Sequence, residues 1–421
     1  MGLKDKHVLL GVTGSISAYK ACDLVQRLKD EGAKVRVIMT HSASQLVHPN
    51  TFAALTGYKV STDTFSGAEG GAMEHIDLAR WADIFLVAPC TAHTLGEFAQ
   101  GLTGSMLSLV YLVYDKHVYI APAMNSVMLE AVAVKRNIAL LETKGDVLLP
   151  TGVGILACGE IGHGKLLEVA HIIAYLKTHL ALKAMSGAYA AMAAVAGKKI
   201  LISLGHTREK WDDVRYVSNR SSGKTGLALA RAFHAAGAEV HVVAGVVEEA
   251  VPPGIQVTRV ETSAEFQREM LAGQPGADVV IMAAAISDFV PAQIHSGKQK
   301  DSRSLGNLEL KPFPNILYEL GRRKPQGQVL VGFALETSDA IAHAQAKMQE
   351  RNCDIMVVNN PVAATMGFGK DRVMAAILNR EEKAHGHEPK LAVLAEWDKD
   401  QLAVALLGQL QGLLGNGVMG K

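Results

Sequence analysis

The stretch that decides the fold is HVLLGVTGSI, residues 7–16 of a chain of 421 residues. An apolar run over residues 8–12 leads directly into the turn Thr13-Gly14-Ser15, and a helical pattern follows over residues 18–30. This order is typical of the first half of a βαβ unit. Backbone N–H groups and the Ser15 hydroxyl at such a turn can bind a phosphate group. The glycine spacing is not GxGxxG, so a plain tight turn explains this stretch alone equally well.

Short apolar runs alternate with helical patterns in both halves of the chain. The runs are 8–12, 35–39, 84–88 and 118–121, and then 199–203, 239–244 and 278–283. Because they are apolar on both faces, they favour parallel sheets covered by helices on each side. Residues 182–197, rich in Ala, Met and Gly, indicate a linker or docking helix. We predict an α/β protein with domains at 1–180 and 198–421 and a linker at 181–197.

Composition excludes several classes of protein. The 42 basic and 41 acidic residues give a net charge of +1, which does not favour nucleic acid or an acidic membrane as a partner. The four cysteines form no CxxC pair, which favours reduced thiols and a cytoplasmic protein over a zinc site or a disulfide scaffold. The longest uncharged stretch, 184–197, is shorter than the roughly 20 residues that a membrane span needs.

Polar residues follow the predicted strands of the first half, where ligands collect in open α/β folds. Thr40 follows the second strand, and Thr91 and Thr94 follow the third, although hydroxyls there also serve as helix caps. Asn125 follows the strand at 118–121 and offers both an amide donor and an acceptor, yet asparagine is also common in turns.

His75 and Cys158 are ambiguous when each is taken alone. A single histidine is commonly a surface or core residue without a chemical role, and an isolated cysteine is commonly buried and inert. The glycines on both sides of Cys158 favour a flap over a core position.

The order and spacing of these pieces resemble the phosphopantothenoylcysteine decarboxylase branch of the flavin-dependent cysteine decarboxylases. The pieces span about the first 180 residues and are 14–20, His75, Pro122-Ala123-Met124-Asn125 and Ala157-Cys158-Gly159. The family pattern differs at Leu129, where it has tryptophan, and at His93, where it has asparagine. The resemblance implies a flavodoxin-like flavoprotein fold with FMN held by Gly14, Ser15, Ile16, Thr40, Thr91, Thr94 and Met124.

The same resemblance implies the catalytic residues and their roles. The cysteine thiol group of the substrate would be oxidised by FMN to a thioaldehyde, which makes loss of carbon dioxide easy. Asn125 would hold the carboxylate, and His75 would act as a base or orienting group. Cys158 would donate the proton that completes 4'-phosphopantetheine.

In the second half, the stretch 221–225 ends like a phosphate-binding P-loop. However, Ser218 stands where that pattern needs its first glycine, so a Walker A loop is disfavoured. A glycine-rich turn that binds phosphate in another manner remains open.

A longer series of pieces, from about Gly197 to the C-terminal region, resembles phosphopantothenate-cysteine ligase. The pieces are Thr207-Arg208-Glu209, Asp212, 214–215, 218–219, 221–224, 283–289, Lys298, 308–310, 314–317 and 331–337. This resemblance implies a Rossmann-like α/β ligase domain in which Asn219 contacts an acyl-nucleotide intermediate. The implied nucleotide-binding residues are Asp288, Lys298, Pro314, Asn315, Ile316, Leu317, Phe333, Lys347 and Arg351.

The ligase resemblance implies that the carboxylate of 4'-phosphopantothenate attacks the α-phosphate of CTP and releases pyrophosphate. The amine of cysteine then captures the acyl-cytidylate, while Mg²⁺ and positive side chains stabilise the phosphate charge. The metal ligands, and the choice between CTP and ATP, stay open. The sequence departs from the family pattern at His206, Lys210, Asp301, Asn315 and Arg351.

Two alternatives share parts of the first resemblance. A flavin prenyltransferase-like enzyme has the early glycine turn without the flap cysteine, and a flavin-binding regulatory subunit binds flavin without turnover. Either could accompany an impaired ligase domain. The resemblance also implies a homo-oligomer, with trimeric decarboxylase contacts and dimeric ligase contacts.

Overall fold

The computed structural model describes residues 2–62, 73–155, 159, 161–185, 187–298, 308–360, 372–380 and 393–415. The chain divides into two compact units, Met1–Leu180 and Ala181–Lys421. Each unit has its own sheet and its own apolar core.

The first unit is built on a parallel sheet of five strands in the order β2-β1-β3-β4-β5. This is the flavodoxin-like order, so the expected fold of the N-terminal half is confirmed. A separate antiparallel hairpin, β6-β7, follows the sheet. The strands are β1 (His7–Val12), β2 (Lys34–Met39), β3 (Ile84–Cys90), β4 (Val118–Pro122), β5 (Val147–Leu148), β6 (Gly152–Ile155) and β7 (Ile161–Lys165).

The longer helices of this unit bury apolar side chains, as α1 (Lys20–Asp30) shows. In α1, the buried residues Ala21, Leu24, Val25 and Leu28 repeat at the spacing of one helix face. A short 3-10 helix (Ile16–Tyr19) precedes α1. The other helices are α2 (His41–Ser44), α3 (Pro49–Thr56), α4 (Glu74–Trp81), α5 (Ala92–Gln100), α6 (Met106–Val113), α7 (Ser126–Glu130), α8 (Val132–Lys144) and α9 (Val169–Ala184).

The second unit contains a sheet of eight strands, β8, β11 to β13 and β16 to β19. They are β8 (Lys199–Leu204), β11 (Glu239–Ala244), β12 (Gln256–Arg259), β13 (Val279–Met282), β16 (Val329–Leu335), β17 (Ile355–Asn359), β18 (Arg372–Asn379) and β19 (Ala395–Asp398). The order is β12-β11-β8-β13-β16-β17-β18-β19, and the first six strands are parallel. Counted along the chain, those six have the Rossmann order 3-2-1-4-5-6, which confirms the expected fold.

The described residues of this unit also form two small antiparallel sheets, several α-helices and a short 3-10 helix (Gln274–Gly276). The small sheets pair β9 (Arg208–Lys210) with β10 (Tyr216–Ser218), and β14 (Phe289–Pro291) with β15 (Leu310–Pro312). The helices are α10 (Ala188–Val195), α11 (Lys224–Ala235), α12 (Ser263–Gly273), α13 (Ile316–Arg322), α14 (Ala340–Glu350) and α15 (Lys399–Gly415).

The expected linker at 181–197 contains α10. Ala191 and Val195 of this helix are buried in the core of the second unit, so α10 packs as part of that unit. In the described part of the chain, no helix is both long enough and apolar enough to span a bilayer.

Candidate functional sites

A cavity of about 560 Å³ opens at the carboxyl edge of the first sheet, where β1 and β3 meet. This is the point at which strand order reverses, and open α/β sheets bind their ligands there. The cavity is lined by Gly14, Ser15, Ile16, Ser17, Tyr19, Lys20, Thr91, Ala92, Ala123, Met124, Asn125, Met128, Ile155, Gly164, Lys165 and Leu166. It therefore brings together six of the residues expected from sequence: Gly14, Ser15, Ile16, Thr91, Met124 and Asn125.

Thr13 connects the two turns that form the floor of this cavity. Its buried hydroxyl donates to the Pro89 carbonyl oxygen at 2.8 Å and accepts from the Thr91 N–H at 3.0 Å. Thr91 in turn caps α5 by accepting from the Thr94 N–H at 3.4 Å. The turn after β1 and the turn after β3 are thus held in one register.

Asn125 lies opposite these turns and is fixed by the hairpin β6-β7. Its Oδ1 caps α7 by accepting from the Val127 N–H at 2.8 Å. The neighbouring Met124 N–H donates to the Gly164 carbonyl at 2.9 Å, and the Ser126 hydroxyl donates to the His163 carbonyl at 2.6 Å. The second strand of the hairpin is thereby attached to the Met124-Asn125-Ser126 turn.

Two lysines at this cavity were not predicted as site residues. The Lys20 Nζ lies 3.1 Å from the Glu168 carboxylate, and the Lys165 Nζ lies 3.3 Å from it. Burial by itself raises the pKa of Glu168, but hydrogen bonds from both lysines outweigh it and lower the pKa. Lys20 lay within a motif already noted, whereas no sequence signal distinguished Lys165.

Other predicted residues of the first unit lie outside the cavity lining. Thr40 caps α2 by accepting from the Ala43 N–H at 3.3 Å, and its own N–H donates to the Val12 carbonyl. Thr94 is buried beneath Thr91. His75 is half-buried in the first turn of α4. Cys158 lies outside the described residues.

The three described cysteines are poor acids in this fold. Burial and, secondarily, the Glu97 carboxylate raise the pKa of Cys90 far above its ordinary value. Burial first, with a contribution from Asp354, raises the pKa of Cys353 to about 12, and burial also raises the pKa of Cys22. These three thiols are therefore weaker acids than an ordinary cysteine.

A second cavity, of about 460 Å³, lies at the carboxyl edge of the second sheet. Nine of the ten ligase residues expected from sequence line it: Asn219, Asp288, Pro314, Asn315, Ile316, Leu317, Phe333, Lys347 and Arg351. The tenth, Lys298, is exposed and lies outside the lining. These residues span 133 positions of sequence, from 219 to 351 inclusive, and only the fold brings them together.

Local structure explains how several of these residues are held. Asn315 caps α13 by accepting from the Tyr318 N–H at 3.0 Å, a role that asparagine and aspartate fill equally well. The Asn219 amide donates to the Ala285 carbonyl at 3.4 Å. In the last turn of α14, Lys347 pairs with Glu336 at 2.5 Å. A negatively charged ligand would have to share Lys347 with this carboxylate.

A smaller cavity of about 200 Å³ adjoins this one and shares Arg220, Ala284, Ala285, Phe333, Ala334 and Leu335 with it. The glycine-rich turn 221–226 forms one wall, and Arg372 and Lys399 lie on the walls as well. Gly226 permits close packing of α11 on β8, because an added Cβ would lie 2.3 Å from the Leu204 Cβ. Sequence reasoning identified the turn but missed Arg220, Arg372 and Lys399.

No group of three or more His, Cys, Asp and Glu side chains suited to holding a metal ion occurs among the residues that the structure describes.

Family models divide the chain much as the structure does. The model described as "Flavoprotein" matches residues 2–181, and "DNA/pantothenate metabolism flavoprotein C-terminal domain" matches residues 195–413. The chain is 39% identical over 397 residues to the coenzyme A biosynthesis bifunctional protein CoaBC of Bacillus subtilis (strain 168), covering 94% of this chain and 95% of the relative.

Relatives with the same name occur in other bacteria. The Escherichia coli (strain K12) protein is 34% identical over 374 residues, covering 88% of this chain and 90% of the relative. The Mycobacterium bovis protein is 38% identical over 365 residues, covering 84% and 86%. These matches cover most of the chain and most of each relative, and the chain therefore belongs to the family of coenzyme A biosynthesis bifunctional proteins, CoaBC.

Proposed function

We propose that the chain catalyses two consecutive steps of coenzyme A biosynthesis, one in each unit. The second unit would join 4'-phosphopantothenate to cysteine with CTP, and the first would decarboxylate the product to 4'-phosphopantetheine. The observation that carries the ligase half is the convergence in one cavity of nine predicted residues from six separate places in the sequence. The free thiols of the described Cys22, Cys90 and Cys353 support action in the cytoplasm.

In the ligase unit, the larger cavity would bind the nucleotide and the adjoining one the acid. The two cavities share a wall, which supports this assignment because the carboxylate of the acid must reach the α-phosphate of the nucleotide. Lys347, Arg351 and Arg220 supply positive charge where pyrophosphate would leave, which is the main requirement of such transfers. Asn219 lines the larger cavity beside the shared Arg220 and would donate its amide to the acyl-cytidylate.

Mg²⁺ would be held mainly by the nucleotide phosphates. This ion keeps several waters and usually binds one or two carboxylates together with substrate phosphates, so it needs no preformed protein cage. Asp288 is the exposed carboxylate at the cavity and is the residue best suited to contact either the metal or the nucleotide.

In the first unit, the residues present fit FMN. The cavity joins hydroxyl and amide groups of Ser15, Thr91 and Asn125 to apolar side chains such as Met124 and Ile155, which suits a ligand with a phosphate and a planar ring. When bound, FMN supplies the two-electron oxidation that turns the cysteine end of the substrate into an electron sink. Asn125 would orient the substrate carboxylate through its amide, and His75 would act as a base or an orienting group.

Cys158 would donate the final proton. In sequence, Cys158 comes after β6 and before β7, and β7 is attached at Gly164 and His163 to the turn that carries Asn125. We expect Cys158→Ser to bind FMN normally and to release carbon dioxide, but to accumulate the oxidised enethiol instead of 4'-phosphopantetheine. Normal 4'-phosphopantetheine formation by this variant would refute the assignment.

Exposed apolar side chains support a homo-oligomer. Beside the first cavity, Ile16, Val127 and Ile155 are 66%, 74% and 70% exposed. On the small sheets of the second unit, Tyr216 and Phe289 are 50% and 52% exposed. Contiguous exposed apolar surface is typical of interaction sites. We propose trimeric contacts through the first surface and dimeric contacts through the second.

The ligase half is tested by comparing nucleotides. Purified protein with 4'-phosphopantothenate, cysteine and Mg²⁺ should release pyrophosphate with CTP and much less with ATP, and Asp288→Asn should weaken CTP binding. Equal release with both nucleotides would contradict the CTP assignment, and no release with either would contradict ligase activity.

A further inference from the structure

Four buried polar residues form a hydrogen-bonded network beneath the wall of the nucleotide cavity. Thr207 and Ser263 have 0% exposure, and Glu209 and Ser287 have 6%. They come from three segments of the chain. Thr207 immediately precedes β9 and Glu209 is its middle residue, Ser263 is the first residue of α12, and Ser287 lies in the turn after β13. Buried polar groups rigidify a structure when all of them are paired, as these are.

Ser287 is the residue on which the network converges. Its N–H donates to the Thr207 Oγ1 at 3.2 Å, and its hydroxyl donates to the Phe289 carbonyl at 2.7 Å. The Ser263 hydroxyl donates to the Ser287 carbonyl oxygen at 3.3 Å. The same hydroxyl also donates to the Glu209 carboxylate. The main chain on both sides of Ser287 is therefore fixed.

Glu209 fixes Ser263 in turn. One carboxylate oxygen accepts from both the N–H and the hydroxyl of Ser263, each at 2.7 Å. This N–H belongs to the first turn of α12, where backbone donors have no partner within the helix and a carboxylate is favourable.

The next residue after Ser287 is Asp288, whose carbonyl accepts from the Phe313 N–H at 2.8 Å. Phe313 immediately precedes the stretch 314–317, which forms another part of the cavity lining. The network thus connects Thr207 to two parts of the cavity wall, although Thr207, Glu209 and Ser263 do not line the cavity.

We propose that Thr207 and Glu209 are positioning residues for nucleotide binding. Acting through Ser287 and Ser263, they set the peptide that precedes Asp288, and they touch neither nucleotide nor acid. This inference rests on the proposed function of the cavity.

The test compares Thr207→Val, which has nearly the same shape without the hydroxyl, with Thr207→Ser, which keeps it. Leaving the buried Ser287 N–H without a partner should raise the KM for CTP and the Kd of CTP about tenfold. Thr207→Ser should restore both to within about twofold of the unmodified protein. The KM for cysteine should stay unchanged. Partial unfolding would instead lower the active fraction and kcat, and it would not raise the KM for CTP alone.

Two further variants complete the design. Ser263→Ala should raise the KM for CTP in the same direction and by less, since Thr207 still holds the Ser287 N–H. Thr258→Val is the matched control: Thr258 bonds His241 at 2.9 Å on β12, outside the nucleotide cavity, and its loss should leave CTP binding unchanged.

Asp288→Asn separates failure of this inference from failure of the proposed function. If Asp288→Asn weakens CTP binding while Thr207→Val binds CTP like the unmodified protein, the positioning role is overturned and the nucleotide site stands. If neither variant affects CTP binding, both the site and the positioning role are overturned.

Discussion

A methyl group added at Gly164 would displace the turn that carries Asn125 at the cavity of the first unit. The φ of Gly164 is +111°, and a Cβ there would lie 2.2 Å from the Met124 carbonyl oxygen. We expect Gly164→Ala to separate the hairpin from the turn that carries Asn125, to lower the free energy of unfolding by about 1–3 kcal/mol and to weaken FMN binding. Flavin fluorescence titration and thermal unfolding would measure both effects.

Gly57→Ala is the matched control for this prediction. Gly57 also has a positive φ, +77°, but nothing lies within 4 Å of the added Cβ. This variant should lose about 1 kcal/mol from backbone strain and keep its affinity for FMN. Equal FMN affinities for the two variants would contradict the role given to the Gly164 contact.

We expect His234 to make the stability of the second unit depend on pH. Burial lowers the pKa of its imidazole from an ordinary value of 6.5. As the pH falls below that value, His234 becomes protonated in the unfolded chain while it is still neutral in the folded chain. The free energy of unfolding therefore declines with falling pH. His234→Gln should flatten this decline between about pH 7.5 and about pH 5.5, measured by hydrogen exchange of peptides from the second unit. An unchanged decline in this variant would show that His234 is not its source.

At the scale of elements, α11 and α15 are joined by a buried ion pair. Arg231 donates to Asp400 at 3.1 Å, and both residues are 8% exposed. Arg231→Met should lower the free energy of unfolding of this unit by about 3 kcal/mol, because it leaves a buried carboxylate without this partner. Replacing Asp400 with Leu in the same chain should recover part of the loss.

Arg322→Met is the control for the ion-pair prediction. The Arg322 side chain is 65% exposed and lies 3.7 Å from Glu319, so its loss should cost less than about 1 kcal/mol. Urea unfolding of the three variants would test the comparison, and equal losses for Arg231→Met and Arg322→Met would contradict it.

Seven strands of the two main sheets, β1 to β4, β8, β11 and β13, could be predicted from sequence, because parallel strands buried on both faces form short apolar runs. The runs at 8–12 and 84–88 became β1 and β3, in which all residues but His7 are buried. The small sheets gave no such signal. β9, β10, β14 and β15 have three residues each and are largely exposed, so their pairing depends on tertiary contacts that no local pattern encodes.

At the scale of the whole molecule, the chain should behave as two catalysts joined by a diffusible intermediate. We expect Asp288→Asn to keep decarboxylation of supplied 4'-phosphopantothenoylcysteine, and an Asn125→Ala protein to keep pyrophosphate release. A mixture of the two variants should therefore form 4'-phosphopantetheine from 4'-phosphopantothenate. Failure of the mixture, with each single activity intact, would show that the intermediate does not pass between molecules.

The sites were less predictable than the folds. Motif order identified nine residues of the nucleotide cavity, but it did not reveal Arg372 or Lys399, which come from distant segments and reach the adjoining cavity only in the folded sheet. The supporting contacts of Thr13 and Ser263 were also missed, because a buried hydroxyl has no recognisable sequence pattern. Such contacts depend on how the strands lie beside one another in the folded protein, and the spacing of residues along the chain does not determine this.

The central claim is that one chain forms an amide bond at the expense of a nucleotide and then removes a carboxyl group with FMN. It is tested most directly by a single time course with the purified, FMN-loaded protein, 4'-phosphopantothenate, cysteine, CTP and Mg²⁺. The account predicts that pyrophosphate appears first, that carbon dioxide follows after a lag, and that both reach equal amounts. Carbon dioxide from supplied 4'-phosphopantothenoylcysteine, without any pyrophosphate from CTP, would contradict it.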